Sequence, residues 1–567
     1  MSTFNQLIND GTLAEVLLLI HDSSRDTLFS LLQVSREVHR CTLPLVYREC
    51  TFDFTQVISS VSDQSAPPLA LKPFSSTREN IDRLFQANFS SVVFQSVRKI
   101  VLRSNKAIWA KEAGATANTP YIPSEEDVYE KWSSLVELLS RISLLKELVF
   151  DCRERVPLIL LETLEIYHPS ARLHVENWTR LSLDTKFGDP YEEALARSPC
   201  LRSIDVHFIT GGPQMNLGEP AFQRILALSP NLESFTYRNT YAGRSCVLYC
   251  FGSELEQAAS RFLVDLENSV RKDIKTIRWE DSSDLSTSMI ERWGKFMNFR
   301  TIQTLDLGLV RHPEVLEYIA TQKIFEGVRH LSFKLTPNSS SKSVVDREIR
   351  LRDATIGFLS SSTRLESLSI VNYSGRIDIV SLLALHGESL RFLSLHDVLV
   401  DDTSPPRPVF PIEDLHLIRT SAPQLETLKI DINFTPEGKY ESEAYKILGS
   451  FLHLRTLNIY YTFKSVSKDF GGRLYWKIVG APASKLEEIN LYLGPQEHEK
   501  DRPRRRGYYP TSYPLVEIRN NHESYGHDGD GNKVREVPIV FQMERCERDD
   551  MRNYVSITIL GHQLPIS

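Results

Sequence analysis

Few residues of this chain stand at spacings that carry chemistry. Cys246 and Cys250 form a C-x3-C pair, half of what a tetrahedral thiolate site needs, but the other five of the seven cysteines supply no second pair at ligand distance. Buried apolar thiols are the expected role, and no metal is assigned. The segment HDGDGNKVRE, from His527, has the acidic spacing of a calcium loop. Lys533, however, stands where that loop needs glycine, and Ile539 where it needs a bidentate glutamate, so a turn is expected. His396 and Asp397 are adjacent, so on a strand their side chains leave opposite faces. No phosphate-binding glycine loop, dinucleotide fingerprint, G-x-S-x-G or H-E-x-x-H occurs, and the fifteen histidines lack a nucleophile context. No catalytic residue and no cofactor is assigned, and the chain reads as a non-enzyme.

One concentrated basic patch remains. Arg502, Arg504, Arg505 and Arg506 lie beside Tyr508 and Tyr509. A phosphate or acidic-peptide contact and a nuclear import signal are open alternatives to a solvated loop, which is the expectation.

The elements that position these residues follow a repeat. The pattern apolar-x-x-apolar-x-apolar reads LKELVF from Leu145, LRSIDV from Leu201, LESFTY from Leu232, IKTIRW from Ile274 and IQTLDL from Ile302. It continues as VRHLSF from Val328, LESLSI from Leu365, LRFLSL from Leu390, LETLKI from Leu425, LRTLNI from Leu454 and LEEINL from Leu486. VRKIVL from Val97 and WTRLSL from Trp178 are weaker members. From Leu201 onward the units start 31, 42, 28, 26, 37, 25, 35, 29 and 32 residues apart. The last two apolar positions of each unit sit two apart, so on a strand they point into one core. Intervening segments have helical spacing, as in Ala258, Ala259, Phe262, Leu263 and Leu266 and in Leu316, Ile319 and Ala320. Breakers at Ser198, Ser229 and Ser421 precede the next strand.

Strand, turn, helix and return in a fixed leucine register is the plan of the leucine-rich repeat solenoid, which residues Val97 to Leu493 resemble. Two features depart from it: no regular Asn or Cys follows the strand, and the spacing drifts beyond the usual ~20–29 residues. Residues flanking the inward positions should line the concave sheet. These are Ser203, Asp205 and His207, then Thr276, Arg278 and Glu280, Thr304 and Asp306, and His330, Ser332 and Lys334. Phe392, Ser394 and His396 follow, then Thr427, Lys429 and Asp431, Thr456, Asn458 and Tyr460, and Glu488, Asn490 and Tyr492. Tyrosine offers a rigid contact with a hydrogen-bonding tip, so Lys429, Asp431, Asn458, Tyr460, Asn490 and Tyr492 are the expected target contacts.

Residues Thr12 to Phe52 carry three helical stripes instead: Leu13, Val16, Leu17 and Ile20; Leu28, Phe29, Leu31, Leu32 and Val34; and Val38, Cys41, Leu45 and Val46. So small a helical unit buries little alone and should dock on something. The order L-x-E-V-L-x-x-I, then D-x-L-x-x-L-L-x-V-S-R, then L-x-x-Y-R is similar to an F-box, especially that of fungal proteins in which leucine-rich repeats follow. The match is Leu13, Glu15, Val16, Leu17 and Ile20, then Asp26, Leu28, Leu31, Leu32, Val34, Ser35 and Arg36, then Leu45, Tyr47 and Arg48. Ala14 replaces the proline usual at the first helical position. The resemblance implies that Leu13, Val16, Ile20, Leu28, Leu31 and Val34 divide between the interface with a Skp-type adaptor, and through it a cullin, and the domain's own core. It implies the substrate-recognition subunit of an SCF-type cullin–RING ubiquitin ligase. The alternative is a non-catalytic scaffold or regulator whose helices only cap the solenoid.

The expected fold class is therefore α/β. A three-helix F-box (residues 1–53) and a linker (54–95) precede an irregular solenoid (96–494), strand on the concave and helix on the convex side. A basic loop and C-terminal β cap (495–567) follow. LVEIRN from Leu515, VPIVFQM from Val537 and YVSITIL from Tyr554 should form that cap. Residues 55–80, 104–131 and the proline-rich stretch from Asp401 read as linker, polar insertion and loop. The 567 residues carry a net charge of −7, which argues against a nucleic-acid or anionic-membrane partner. No apolar run reaches about 18 residues. The N-terminus has no cationic region ahead of its apolar run, which Glu15 interrupts, so no secretory signal is expected. Cytoplasm or nucleus is the expected location, and the glycosylation patterns at Asn88, Asn177, Asn338, Asn372 and Asn433 carry no weight there.

Overall fold

The apolar positions two apart form strands buried on one face, as their spacing requires. The burial of Glu147–Cys152 alternates along its length, as does that of His330–Leu335. The computed structural model describes residues 25–53 (except 32 and 35), 90–104, 125–180 (except 153), 189–210, 215–241, 266, 270–280, 285–335, 345–373, 377–397, 410–432, 439–461, 486, 488–493, 525–527, 533–535, 540–545 and 555–560. They divide into two units, residues 1–283 with 290–298, and residues 284–289 with 299–567.

Among the described residues of the first unit, seven parallel strands stand in chain order. They are β1 (Glu49–Asp53), β2 (Lys99–Ser104), β3 (Glu147–Cys152), β4 (Arg172–Trp178), β5 (Leu201–Thr210), β6 (Ser234–Tyr241) and β7 (Thr276–Trp279). The helices are α1 (Arg25–Leu31), α2 (Arg36–Val46), α3 (Ser90–Ser96), α4 (Glu125–Arg141), α5 (Leu158–Tyr167), α6 (Pro190–Arg197) and α7 (Met215–Leu228), followed in the chain by α8 (Thr287–Trp293). Ring contacts tie helix to strand: Trp132 to Phe150 at 5.7 Å and Phe222 to Phe235 at 5.3 Å. Asp189 caps α6 by accepting from the Tyr191 N–H at 3.0 Å, with Pro190 in the first turn, where its missing N–H costs nothing.

The second unit repeats the plan with β8 (Thr304–Val310), β9 (His330–Leu335), β10 (Ser367–Val371), β11 (Phe392–His396), β12 (Thr427–Ile432), β13 (Thr456–Tyr461) and β14 (Glu488–Leu493), again parallel and in chain order. Its helices are α9 (Pro313–Gln322), α10 (Val345–Ser361), α11 (Ile379–His386), α12 (Ile412–Ser421) and α13 (Lys439–Gly449). Two antiparallel strands, β18 (Val555–Leu560) and then β17 (Val540–Arg545), extend the sheet beyond β14. They are two of the three runs expected in the cap. His527 ends β15 (Tyr525–His527), which pairs antiparallel with β16 (Lys533–Arg535); the residues between them lie outside the described ones. Each unit is thus an open, solenoid-like α/β array in which the parallel strands hydrogen-bond to their chain neighbours within the unit.

A shared backbone device sets the register. The residue that leads into a strand accepts two N–H groups from the next repeat. Arg48 O takes Arg98 N at 2.8 Å and Lys99 N at 3.0 Å, and Arg329 O takes Glu366 N at 2.8 Å and Ser367 N at 3.0 Å. Glu366, Arg391 and Glu426 do the same in turn. These groups are satisfied without the asparagine ladder usual in such repeats.

Several boundaries differ from the sequence reading. Glu49–Asp53 is the first strand of the sheet rather than the end of a helical domain. Tyr47, Cys50 and Phe52 carry the repeat's own spacing and are all buried. Of WTRLSL only Trp178 to Arg180 lie within the described residues, and Trp178 ends β4, whose inward residues are Leu173 and Val175, behind Ala171 where leucine is usual. The stretch assigned as linker contains α3, and the polar insertion runs into α4. The breakers at Ser198, Ser229 and Ser421 do close α6, α7 and α12.

Candidate protein-interaction surfaces

At the N-terminus α1 packs on α2, and α2 on α3. On α1 Leu28 is fully buried and Leu31 is half-buried, and Val34, in the turn after α1, is 63% exposed. Leu13, Val16 and Ile20 lie outside the described residues. The six leading candidates therefore separate where they are visible, Leu28 serving the core and Val34 left to the surface. Tyr47 and Arg48, which end the F-box-like pattern, are used by the first repeat. The Tyr47 ring is buried, its hydroxyl pushed up to about 12 by burial and secondarily by Cys50, and Arg48 offers the paired carbonyl described above.

In the first unit the strand residues that alternate with the buried ones carry a charged cluster. Asp205 on β5 accepts from Arg238 Nη2 on β6 at 2.7 Å, and Arg238 Nε lies 2.8 Å from Glu280 just past β7. Asp151 on β3 and Glu176 on β4 stand in register beside them, and Arg103 on β2 lies 4.0 Å from Asp151. Asn177 adopts a left-handed backbone (φ 59°) that bulges β4 and lets its amide donate to Asp151 at 2.6 Å. The Asp205 carboxyl is pushed up to about 7, chiefly by burial; Arg238 opposes this, and Glu280, Glu176 and Asp151 add to it. Burial, and then Asp151, raises Glu176 as well. Asp205 and Glu280 were legible from spacing, but Arg238, Glu176 and Asp151 were not singled out, although the same parity applied to the repeats of LESFTY and LKELVF reaches Arg238 and Asp151.

His174 on β4 meets the Ser203 hydroxyl on β5 at 2.6 Å, and burial lowers its basicity. A neutral imidazole against a hydroxyl is half of a nucleophilic pair. Among the described residues the ring's hydrogen bond is to Ser203 and no third group orients it, and Arg202 bulges beside it between the Leu173 and His174 pairings. The contact serves as a cross-strand clasp at that bulge. Among the described residues no three metal-ligating side chains converge. No helix there is long and apolar enough to cross a membrane. Asn372 shares the left-handed conformation of Asn177 and donates to Leu335 O at 2.9 Å, so both side-chain amides are engaged.

In the second unit the expected target contacts do fall in register. Lys429, Asn458 and Asn490 align across β12, β13 and β14, as do Asp431, Tyr460 and Tyr492. Their exposure differs from the expectation of a solvated row. Asp431, Asn458, Tyr460 and Asn490 are all buried, and Lys429 alone among those described is partly open. The reason is local pairing. Tyr460 and His396 stack, Asp431 accepts from Asp397 N–H at 2.6 Å, and the Asn490 amide donates to Asn458 at 3.2 Å. The Lys429 ammonium lies over the Phe392 ring at 5.3 Å. The side chain of Tyr492, the pair Cys246 and Cys250, and the arginines from 502 to 506 lie outside what is described.

No protein-family model matches this sequence, and no curated protein is significantly similar to it.

Proposed function

We propose that the chain is a non-catalytic receptor: its N-terminal helices hold a Skp-type adaptor, and its repeats hold a target protein for a cullin–RING ubiquitin ligase. What carries this reading is the division of the N-terminal apolar stripe, with Leu28 in the core and Val34, three residues beyond Leu31 at the end of α1, left in water. An exposed valine at a position that the F-box pattern reserves for an apolar residue is what a docking edge requires. The polar sheet face of the first unit, where Arg238 and Glu280 are partly open, supplies a second surface. Mechanism would then be proximity: tethering raises the effective concentration of a target lysine near the conjugating enzyme, and the receptor needs no chemistry of its own.

The test is co-purification of the full chain with its host's Skp-type adaptor beside Val34→Asp, a change at an exposed site that leaves the fold intact. Co-elution lost in the variant supports the reading; no co-elution of the folded parent overturns it. A second reading, scaffold or regulator with capping helices, draws support from Tyr47 and Arg48 serving the first repeat and from α2 packing on α3. It predicts that Val34→Asp has no binding consequence at all.

A further inference from the structure

The cluster around Asp205 is balanced badly in a specific way. The Asp205 side chain is 15% exposed. Its Oδ2 takes Arg238, but its Oδ1 is shut off from solvent with no hydrogen-bond partner among the described residues. Arg238 is stretched between two acids. Its Nη2 meets Asp205 at 2.7 Å, whereas its Nε, 2.8 Å from Glu280, is aimed so that the buried N–H makes no hydrogen bond. One solvent-excluded acceptor and one solvent-excluded donor are therefore left unsatisfied on either side of the same ion pair, and each such atom costs free energy.

The groups facing Asp205 explain why it cannot simply stay charged. Its own strand adds His207. β4 contributes His174 and Glu176, β3 contributes Asp151, and β2 contributes Arg103. Across β6 stands Arg238, and β7 and its end contribute Arg278 and Glu280. Four carboxylates, Asp151, Glu176, Asp205 and Glu280, meet two guanidiniums within the linked part of this cluster, Arg103 and Arg238. With every group ionised the local balance is −2, and a proton on Asp205 brings it to −1.

We propose that Asp205 and Arg238 form a proton-controlled switch on the polar sheet face of the first unit. When Asp205 is ionised it shares Arg238 with Glu280, the arrangement seen here. When Asp205 gains a proton its hold on the guanidinium weakens, and Arg238 turns to Glu280, which lies on the more exposed side and can then receive a directed Nε–H. The elevated affinity of Asp205 for protons places the exchange in the neutral range rather than at the acidic pH of an ordinary carboxyl. Charge and donor direction at the centre of this face thus follow pH, whatever binds there.

Hydrogen exchange of the full chain, read on peptides covering β5 and β6 and corrected for the intrinsic rate at each pH, tests this. Because the folded form binds the proton more tightly than the unfolded one, protection should be greater at pH 7 than at pH 9, a range above that in which the buried histidines act. Asp205→Asn should abolish the difference, and Glu280→Gln, which removes one repelling carboxylate and leaves Asp205 in place, should move the midpoint to lower pH. Protection independent of pH in the parent, or an unchanged transition in Asp205→Asn, would overturn the switch. Glu280→Gln decides the matter if Asp205→Asn does not fold: an unmoved midpoint overturns it too.

Discussion

The rings of His396 and Tyr460 stack face to face, 4.5 Å between centroids and 5° from parallel, although they belong to strands separated by β12. Both side chains must lean over the strand between them, whose residue there is Asp431. That carboxylate is buried and accepts the Asp397 N–H, so the stack closes a polar pair rather than presenting one.

Truncating the lid should therefore be costly. Tyr460→Ala is expected to destabilise the second unit by about 3–5 kcal/mol. In a double-mutant cycle with His396→Ala the coupling should be about 0.5–1.5 kcal/mol. Chemical denaturation measures both, and strict additivity would remove the stack as an energetic unit.

Two buried histidines make the fold sensitive to acid. His168, just after α5, and His386, at the end of α11, each bond through Nε2 to a carbonyl near the end of the preceding helix, Leu139 O at 2.8 Å and Leu359 O at 3.1 Å. In His386, Nδ1 also accepts from Leu365 N–H at 3.4 Å, which only the neutral ring can do. Burial lowers the proton affinity of both. Below the unfolded value near 6.5 the unfolded chain takes up protons that the folded rings refuse. Their contribution is therefore intact above that pH and is lost as pH falls through it. Protection of the α10 and α11 amides should drop between pH 7 and pH 5, less so in His386→Gln. In the first unit Asp205 acts with the opposite sign.

Close stacking of repeats rests on Gly387. A Cβ there would lie 2.4 Å from the carbonyl oxygen of Ser421 at the end of α12, a backbone atom that cannot swing aside. Gly387→Ala should cost about 1–3 kcal/mol, as overpacking does. Gly357, whose Cβ would meet nothing within 4 Å, is the control: Gly357→Ala, inside α10, should be neutral or stabilising by up to about 1 kcal/mol. Thermal melting of the two variants checks the contrast.

At the N-terminus, Leu28→Asp should disrupt α1 and α2, since it places a charge at a fully buried site. Val34→Asp should leave stability within about 0.5 kcal/mol. Circular dichroism and protease resistance separate the two, and equal damage would contradict the division between core and surface.

The strands and their order were legible in the residues alone, because a side chain's face on a strand is a local matter of parity. Leu368 and Ile370, or Leu428 and Ile430, declare their inward direction within three residues. Helix ends at Ser198 and Ser229 are equally local. The same parity would have found β1, since Tyr47, Cys50 and Phe52 keep the spacing, but the surrounding helical stripes concealed it. What only the tertiary structure decided is the fate of the opposite, polar parity. Whether Asp431 or Tyr460 meets water depends on whether His396, two strands away, leans over them. Whether Asp205 shares Arg238 depends on Glu280, which the chain brings alongside only after β6 and β7 have paired. Apolar positions are fixed by the pattern that excludes them from water, whereas a polar side chain has no preferred side until its neighbours supply or withhold a partner.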